Sequence, residues 1–136
     1  MNILVIDGMG GGVGKAIIER IRANREDYTI TAVGTNAVAT SVMLSSGANH
    51  GATGENAIIY NCAHAEYIIG PFGIILANSM LGEITPRMAE AISISTAKKI
   101  LIPNTKCNVL VVGAADLPLA KYIDEIPTIL RRLSQG

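Results

Sequence analysis

An apolar run, Ile3-Leu4-Val5-Ile6, feeds directly into Asp7-Gly8-Met9-Gly10-Gly11-Gly12-Val13-Gly14. No other feature narrows the fold as much. Four consecutive apolar residues without alternation suit a strand covered on both faces. After the glycines the period changes: Val13, Ile17, Ile18 and Ile21 recur at helical spacing, while Lys15, Glu19, Arg20 and Arg22 fall on the other side. Strand, glycine turn, helix is the opening unit of a parallel α/β sheet.

The rest of the chain repeats that alternation. Strands are expected at Thr29–Val33, Tyr67–Ile69 and Lys99–Ile102, and residues 48–53 are left open between strand and loop. Helices are expected from a Thr35 or Asn36 cap to Leu44, over Gly54–Ala63 with Thr53 as a candidate cap, and from Thr85-Pro86 to about Thr96. Ile74–Leu81 is apolar nearly all round and predicts a buried helix. Asn108–Val112 predicts a further strand, and the short link 103–106 implies that it pairs antiparallel with Lys99–Ile102 at a sheet edge. A last helix, Leu119–Leu133, carries Pro127 and is expected to kink or restart there. No repeat or linker interrupts the chain, so one domain spans residues 1–136. The fold class is α/β, a three-layer sandwich with a mostly parallel sheet and an antiparallel edge strand.

Charge bounds the partners. Lys+Arg and Asp+Glu are 11 each, a balance that argues against nucleic acid, which is bound through excess cations. One Phe, four Tyr and no Trp leave little to stack on bases. Charged residues are only 16% of the chain, too few to cover a monomer, so a homo-oligomer is expected. Met1 leads straight into the first strand without a basic leader, and the apolar stretch Tyr67–Ala77 is broken by Gly70, Pro71 and Gly73. Cys62 and Cys107 allow at most one disulfide. Those features together imply a cytoplasmic protein with no membrane partner.

In parallel sheets ligands bind at the carboxyl rim, near the point where strand order reverses. The expected rim loops are Asp7–Gly14, Gly34–Asn36, Gly70–Gly73 and Pro103–Thr105. Glycine lets the backbone approach a ligand, and the unpaired amides opening a helix favour phosphate or carboxylate. Gly8, Gly10, Gly11, Gly12, Gly14 and Lys15 therefore form the first candidate site, joined by Gly34, Thr35, Asn36 and Gly70. The spacing Gly8-x-x-x-Gly12-x-Gly14 resembles the cofactor loop of short-chain dehydrogenases, but the chain lacks that family's Tyr-x-x-x-Lys pair and an acidic end to the second strand. The nucleotide-hydrolase phosphate loop is absent, since Met9 replaces its first glycine and Ala16 its magnesium-binding hydroxyl. Gly34-Thr35-Asn36 resembles the phosphate loop of methylglyoxal-synthase-like domains; Thr35 or Asn36 as a plain helix cap is the alternative. Asn49, His50, Thr53 and Asn56 offer uncharged hydrogen-bonding groups, and Phe72 offers an apolar wall.

Asp7 and Glu83 are the acid/base candidates. Asp7 follows a buried strand, where an apolar wall raises a carboxyl pKa, or it caps the amides of its own loop. Glu83, with Asn78 and Ser79, breaks an apolar stretch and so lines a pocket, meets a subunit interface or lies in solvent. His50, Cys62, His64 and Cys107 lack metal-ligand spacing, and no metal is expected.

Five stretches resemble a bacterial family described only as a domain of unknown function: Asp7-Gly8 through Gly14-Lys15, Gly34-Thr35-Asn36-Ala37, Gly51-Ala52-Thr53-Gly54-Glu55-Asn56-Ala57, Gly70-Pro71-Phe72-Gly73-Ile74 and Leu81-Gly82-Glu83-Ile84-Thr85-Pro86. The resemblance implies a small Rossmann-like cytosolic protein and supplies no activity or cofactor. The leading expectation is a protein that binds a nucleotide or other phosphorylated small molecule at the first glycine loop. The alternatives are a transferase, lyase or isomerase using Asp7 or Glu83, and a structural oligomer whose glycines serve only turns.

Overall fold

The apolar runs form the middle of the sheet and the amphipathic segments cover it. The computed structural model describes every residue except 25–26, 104–107 and 136. In chain order the elements are β1 (Asn2–Asp7), α1 (Gly12–Asn24), β2 (Thr29–Gly34), α2 (Ala37–Ser45), β3 (His50–Thr53), α3 (Glu55–Cys62), β4 (Tyr67–Pro71), a 3-10 turn (Phe72–Ile75), α4 (Pro86–Ile94), β5 (Lys98–Ile102) and α5 (Leu119–Gln135).

The five strands lie in the order β3-β2-β1-β4-β5, and every neighbouring pair is parallel. β1 is central, with Val5 opposite Ala32 on one side and Ile69 on the other. Its residues alternate between two cores. Ile3 and Val5 pack with Ile17, Ile18 and Ile21 of α1, Met43 of α2, and Ile123, Ile126 and Leu130 of α5. Leu4 and Ile6 pack with Ile58, Ile68, Ile74, Met88 and Ile92 on the α3–α4 face. A central strand buried on both faces has no use for polar alternation. This is a three-layer, Rossmann-like α/β sandwich.

Two caps fix helix starts as their sequences imply. Asn36 Oδ1 accepts the Ala39 N–H at 2.9 Å, and Thr85 Oγ1 accepts the Met88 N–H at 3.2 Å with Pro86 as the first helical residue. Strand order reverses between β1 and β4: the chain leaves β1 toward β2 and leaves β4 toward β5. The carboxyl ends of these two strands therefore splay around a crevice. No helix among the described residues is long and apolar enough to cross a membrane.

Several expectations are corrected. Asn108–Val112 is not a strand, and among the described residues the sheet has no antiparallel edge. Leu110 and Val112 are 92% and 102% exposed, so the segment lacks the packing that turns strand propensity into a strand, although β5 leaves a sheet edge open. Helical structure after β4 stops at Ile75, and residues 76–84 form successive turns rather than a buried helix. Asn78, Met80, Leu81 and Gly82 all have positive φ, incompatible with a right-handed helix. Thr53 does not cap α3: Gly54 holds that position without a side-chain bond, and Thr53 Oγ1 lies 2.7 Å from Thr40 Oγ1. The open segment resolves as β3, and α5 runs through Pro127 as one helix. Cys107, and residues 104–106 of the link before it, lie outside the described residues.

Candidate functional site

Asp7 ends β1 with 4% of its surface exposed. Its Oδ1 accepts the Gly8 N–H at 2.8 Å and its Oδ2 the Gly14 N–H at 2.7 Å; the Val13 amide also bonds to it. Within the loop the Gly11 N–H donates to Gly8 O at 2.9 Å. Burial pushes the Asp7 pKa above its ordinary value; the three amides oppose this and the charge of Glu83 adds to it. Both readings of Asp7 hold: burial raises its carboxyl pKa, and it caps the amides of its own loop. The geometry demands glycine at position 14, where a Cβ would press on Met43 Sδ and lie 2.9 Å from Met43 Cγ.

Glu83 approaches the same loop from the turns after β4. Its Oε1 accepts three hydrogen bonds: from Met9 N–H at 2.9 Å, Thr35 Oγ1 at 2.6 Å and Asn36 Nδ2 at 2.8 Å. These bonds, led by Thr35 and then Met9, hold the Glu83 carboxyl below its ordinary pKa against a small opposing effect of burial. Asn36 Nδ2 also reaches Met9 O at 2.9 Å, and Thr35 N–H donates to Asp7 O at 3.0 Å. The two acid/base candidates are thus brought together, both engaged with loop donors. The Gly34-Thr35-Asn36 segment meets a carboxylate of its own chain.

Two amides of the first loop stay open. Among the described residues, Gly10 N–H and Gly12 N–H have no acceptor, and a Cβ at either residue would meet nothing within 4 Å. Both glycines line a cavity of about 600 Å³. Opposite them stand Pro71, Gly73, Ser79, Met80 and Leu81, with Leu119 contributed by the start of α5. Small-molecule sites typically occupy roughly 300–1,000 Å³ and carry a few polar groups on apolar walls. Here the polar groups are the two glycine amides, the Asp7 carboxylate and the Ser79 hydroxyl, which donates to Gly73 O.

The remaining candidates separate from this cavity. Lys15 is exposed on the first turn of α1 and does not line it. Gly70 is buried in β4, where a Cβ would sit 2.5 Å from Ile6 O, so its small size serves strand packing. A Cβ at Gly34 would lie 2.5 Å from Thr40 Oγ1. Phe72 is not in the lining. Asn49 and His50 lie at the amino end of β3, away from the rim, where Asn49 Oδ1 accepts from Ile30 N–H at 2.8 Å and Arg22 Nη2 at 2.6 Å. Asn56 is exposed on α3. Cys62 is buried, which pushes its thiol up to about 11, and His64 stacks at 4.5 Å on Tyr60. Sequence reasoning missed Met80, Leu81 and Leu119. Leu119 comes from far along the chain, and the left-handed turns that aim the other two leave no period in the sequence.

A family model described as "Domain of unknown function (DUF3842)" matches residues 2–135. No curated protein matches the chain. Among solved structures the chain is similar to apo histidine-tagged saccharopine dehydrogenase (L-Glu forming) from Saccharomyces cerevisiae, with 14% identity and a TM-score of 0.49 over 88% of this chain. It spans only 23% of that dehydrogenase. It is also similar to a dodecameric FMN-dependent Ubix-like decarboxylase from Escherichia coli O157:H7, with 16% identity and a TM-score of 0.49, covering 98% of this chain and 76% of that one.

Proposed function

The chain belongs to the family described as domain of unknown function DUF3842, and we propose that it binds a nucleotide or similar phosphorylated small molecule in the cavity over its first glycine loop. One observation carries this: Gly10 and Gly12, whose amides have no acceptor among the described residues, line a cavity of about 600 Å³ at the amino end of α1. Open amides and the positive end of the helix dipole favour an acceptor oxygen there. Met80, Leu81 and Leu119 supply an apolar wall for the body of the ligand.

Local charge narrows the class. Asp7 and Glu83 bring carboxylates to the loop, and none of the lining residues is a cation. A diphosphate spreads its charge over two phosphoryl groups and can be shared between the two open amides, so a diphosphate-bearing ligand suits the site better than a single dianionic monoester. Asp7 commits both oxygens to loop amides, which favours binding over proton transfer.

Calorimetry with ADP, NAD and FMN, with adenosine as the control, tests the site. Saturable binding of a diphosphate and much weaker binding of adenosine is expected; no heat and no thermal stabilisation by any of them at millimolar concentration would overturn it. A homo-oligomer is part of the same proposal, supported by the low charged fraction and by exposed Leu81, Leu110 and Val112. Light scattering that returns a monomer mass removes that part.

A further inference from the structure

Residues 76–84 form a strap across the rim between the 3-10 turn and α4. Its base is secured: Ile84 is fully buried, Asn78 N–H donates to Ile84 O at 2.7 Å, and Ser79 Oγ donates to Gly73 O. Its crest is not. Leu81 is 95% exposed, and Asn78, Met80 and Leu81 have φ of 66°, 56° and 57°. Residues with a side chain avoid that region, Asn less than Met or Leu. Such a conformation persists only where surrounding contacts enforce it.

Backbone bonds from Gly82 N–H to Asn78 O and Ser79 O and from Glu83 N–H to Met80 O shape the turns, and the Glu83 side chain ties them to the glycine loop. Its Oε1 sits among Met9 N–H, Thr35 Oγ1 and Asn36 Nδ2, and the strap presses on Gly8 so closely that a Cβ there would lie 2.8 Å from Met80 Sδ and 3.1 Å from Glu83 Oε1. Three donors converging on one anionic oxygen is a geometry that a phosphoryl or carboxylate oxygen of a ligand also satisfies.

We propose that Met9 N–H, Thr35 and Asn36 form a second anion subsite beside the glycine loop, that Glu83 occupies it as a built-in ligand, and that the 76–84 strap lifts when the second anionic group of a diphosphate-bearing ligand takes its place. This subsite extends, and rests on, the ligand site proposed above. The exchange is like for like: one anionic oxygen replaces another on the same donors. The strap loses the side-chain contact that ties it to the glycine loop, so ligand concentration sets the balance between closed and open forms.

Hydrogen exchange and ADP titration on the full chain, wild type against Glu83→Ala and Glu83→Gln, test the latch. Without ligand, Glu83→Ala is expected to speed exchange at Met9 and at residues 78–84 about tenfold, while β1 and β4 keep their rates. Glu83→Gln, which keeps an acceptor oxygen without the charge, falls between. With ADP, Glu83→Ala is expected to bind about tenfold more tightly than wild type because no internal carboxylate competes. Unchanged exchange in both variants, with ADP bound, overturns the latch and leaves the ligand site standing. Faster exchange with no ADP binding in any form upholds the latch as a structural contact but overturns the ligand site and the subsite with it. Equal or weaker ADP binding by Glu83→Ala overturns the subsite.

Discussion

The Asp7 carboxylate spans the glycine loop, bonded at 2.8 Å to the amide that opens it and at 2.7 Å to Gly14, two residues into α1. A buried side chain at the end of β1 thus ties the strand to the start of its helix. Substituting Asn leaves one acceptor oxygen for the Gly8, Val13 and Gly14 amides, which share two in the wild type, so at least one buried amide goes unpaired. Leaving such a donor unsatisfied costs about 1–3 kcal/mol. Urea denaturation of Asp7→Asn should show a loss of that order, and Asp7→Ala a larger one; a midpoint unchanged in both would mean the bonds contribute nothing net.

The two carboxylates give opposite pH responses. Asp7 has a raised pKa, so the folded chain keeps a proton that the unfolded chain has already released. Its contribution to stability is complete below its ordinary 3.8 and declines as pH rises through the native value. Glu83 has a lowered pKa; its contribution is complete above its ordinary 4.5 and is lost as pH falls through the native value. Asp7→Asn should therefore gain stability with rising pH more steeply than wild type above 3.8. Glu83→Gln should lose less than wild type on acidification below 4.5. Denaturation midpoints over about pH 3 to 7 read both slopes, and parallel profiles for all three proteins would contradict both assignments.

Gly14 sets two known effects against each other. Alanine in a helix interior is favoured over glycine by about 0.5–1 kcal/mol. The added methyl, however, meets buried Met43 and lies 3.1 Å from Asp7 Cβ. Overpacking of this kind costs roughly 1–3 kcal/mol, so Gly14→Ala should be destabilising. In a Met43→Ala background the tighter obstruction is gone and only the 3.1 Å approach to Asp7 Cβ remains, so the same change should cost clearly less. Thermal denaturation of the four proteins in that cycle checks the coupling.

Arg22 shows why composition alone undersells a surface cation. Its guanidinium donates to Gly47 O at 2.8 Å, Tyr28 O at 2.7 Å and Asn49 Oδ1 at 2.6 Å, joining α1 to the ends of its neighbours. Lysine carries the charge without the planar fork and cannot serve three directions at once. Arg22→Lys should cost about 1–3 kcal/mol despite conserving charge. A loss below measurement in urea denaturation would show that water replaces these bonds without penalty.

The sheet was legible because its strands are short unbroken apolar runs set between segments of helical period. Ile3–Ile6 and Tyr67–Ile69 suit strands with two covered faces, and Thr85-Pro86 and Asn36 act at their helix starts as their chemistry requires. Turns without period misled. Ile74–Leu81 has helical composition but left-handed backbone at three non-glycine residues between 78 and 81, and nothing in single-residue propensity marks Met80 or Leu81 for that region. That error hid both the cavity wall and the strap. Asn108–Val112 misled in the other direction, since β-branched residues signal a strand only where neighbours cover them, and Leu110 and Val112 stay exposed. At the site, sequence reasoning found the glycines but not which amides stay open, because that depends on where the Asp7 and Glu83 carboxylates come to rest.

Gly10 and Gly12 offer the sharpest separation of stability from binding. Neither has positive φ, and a Cβ at either meets open space, so alanine introduces neither strain nor a clash. Substitutions away from packed or strained positions usually change stability by no more than about 0.5 kcal/mol. A methyl group on either residue would, however, project from the open wall of the cavity beside the amide that the ligand oxygen needs. Gly10→Ala and Gly12→Ala should therefore keep the wild-type melting temperature in the absence of ligand and lose about tenfold or more in ADP affinity, equivalent to roughly 1.4 kcal/mol. If both variants melt normally and bind ADP as the wild type does, the ligand does not sit on these amides, and the cavity's role must be sought on its Met80–Leu81 wall instead.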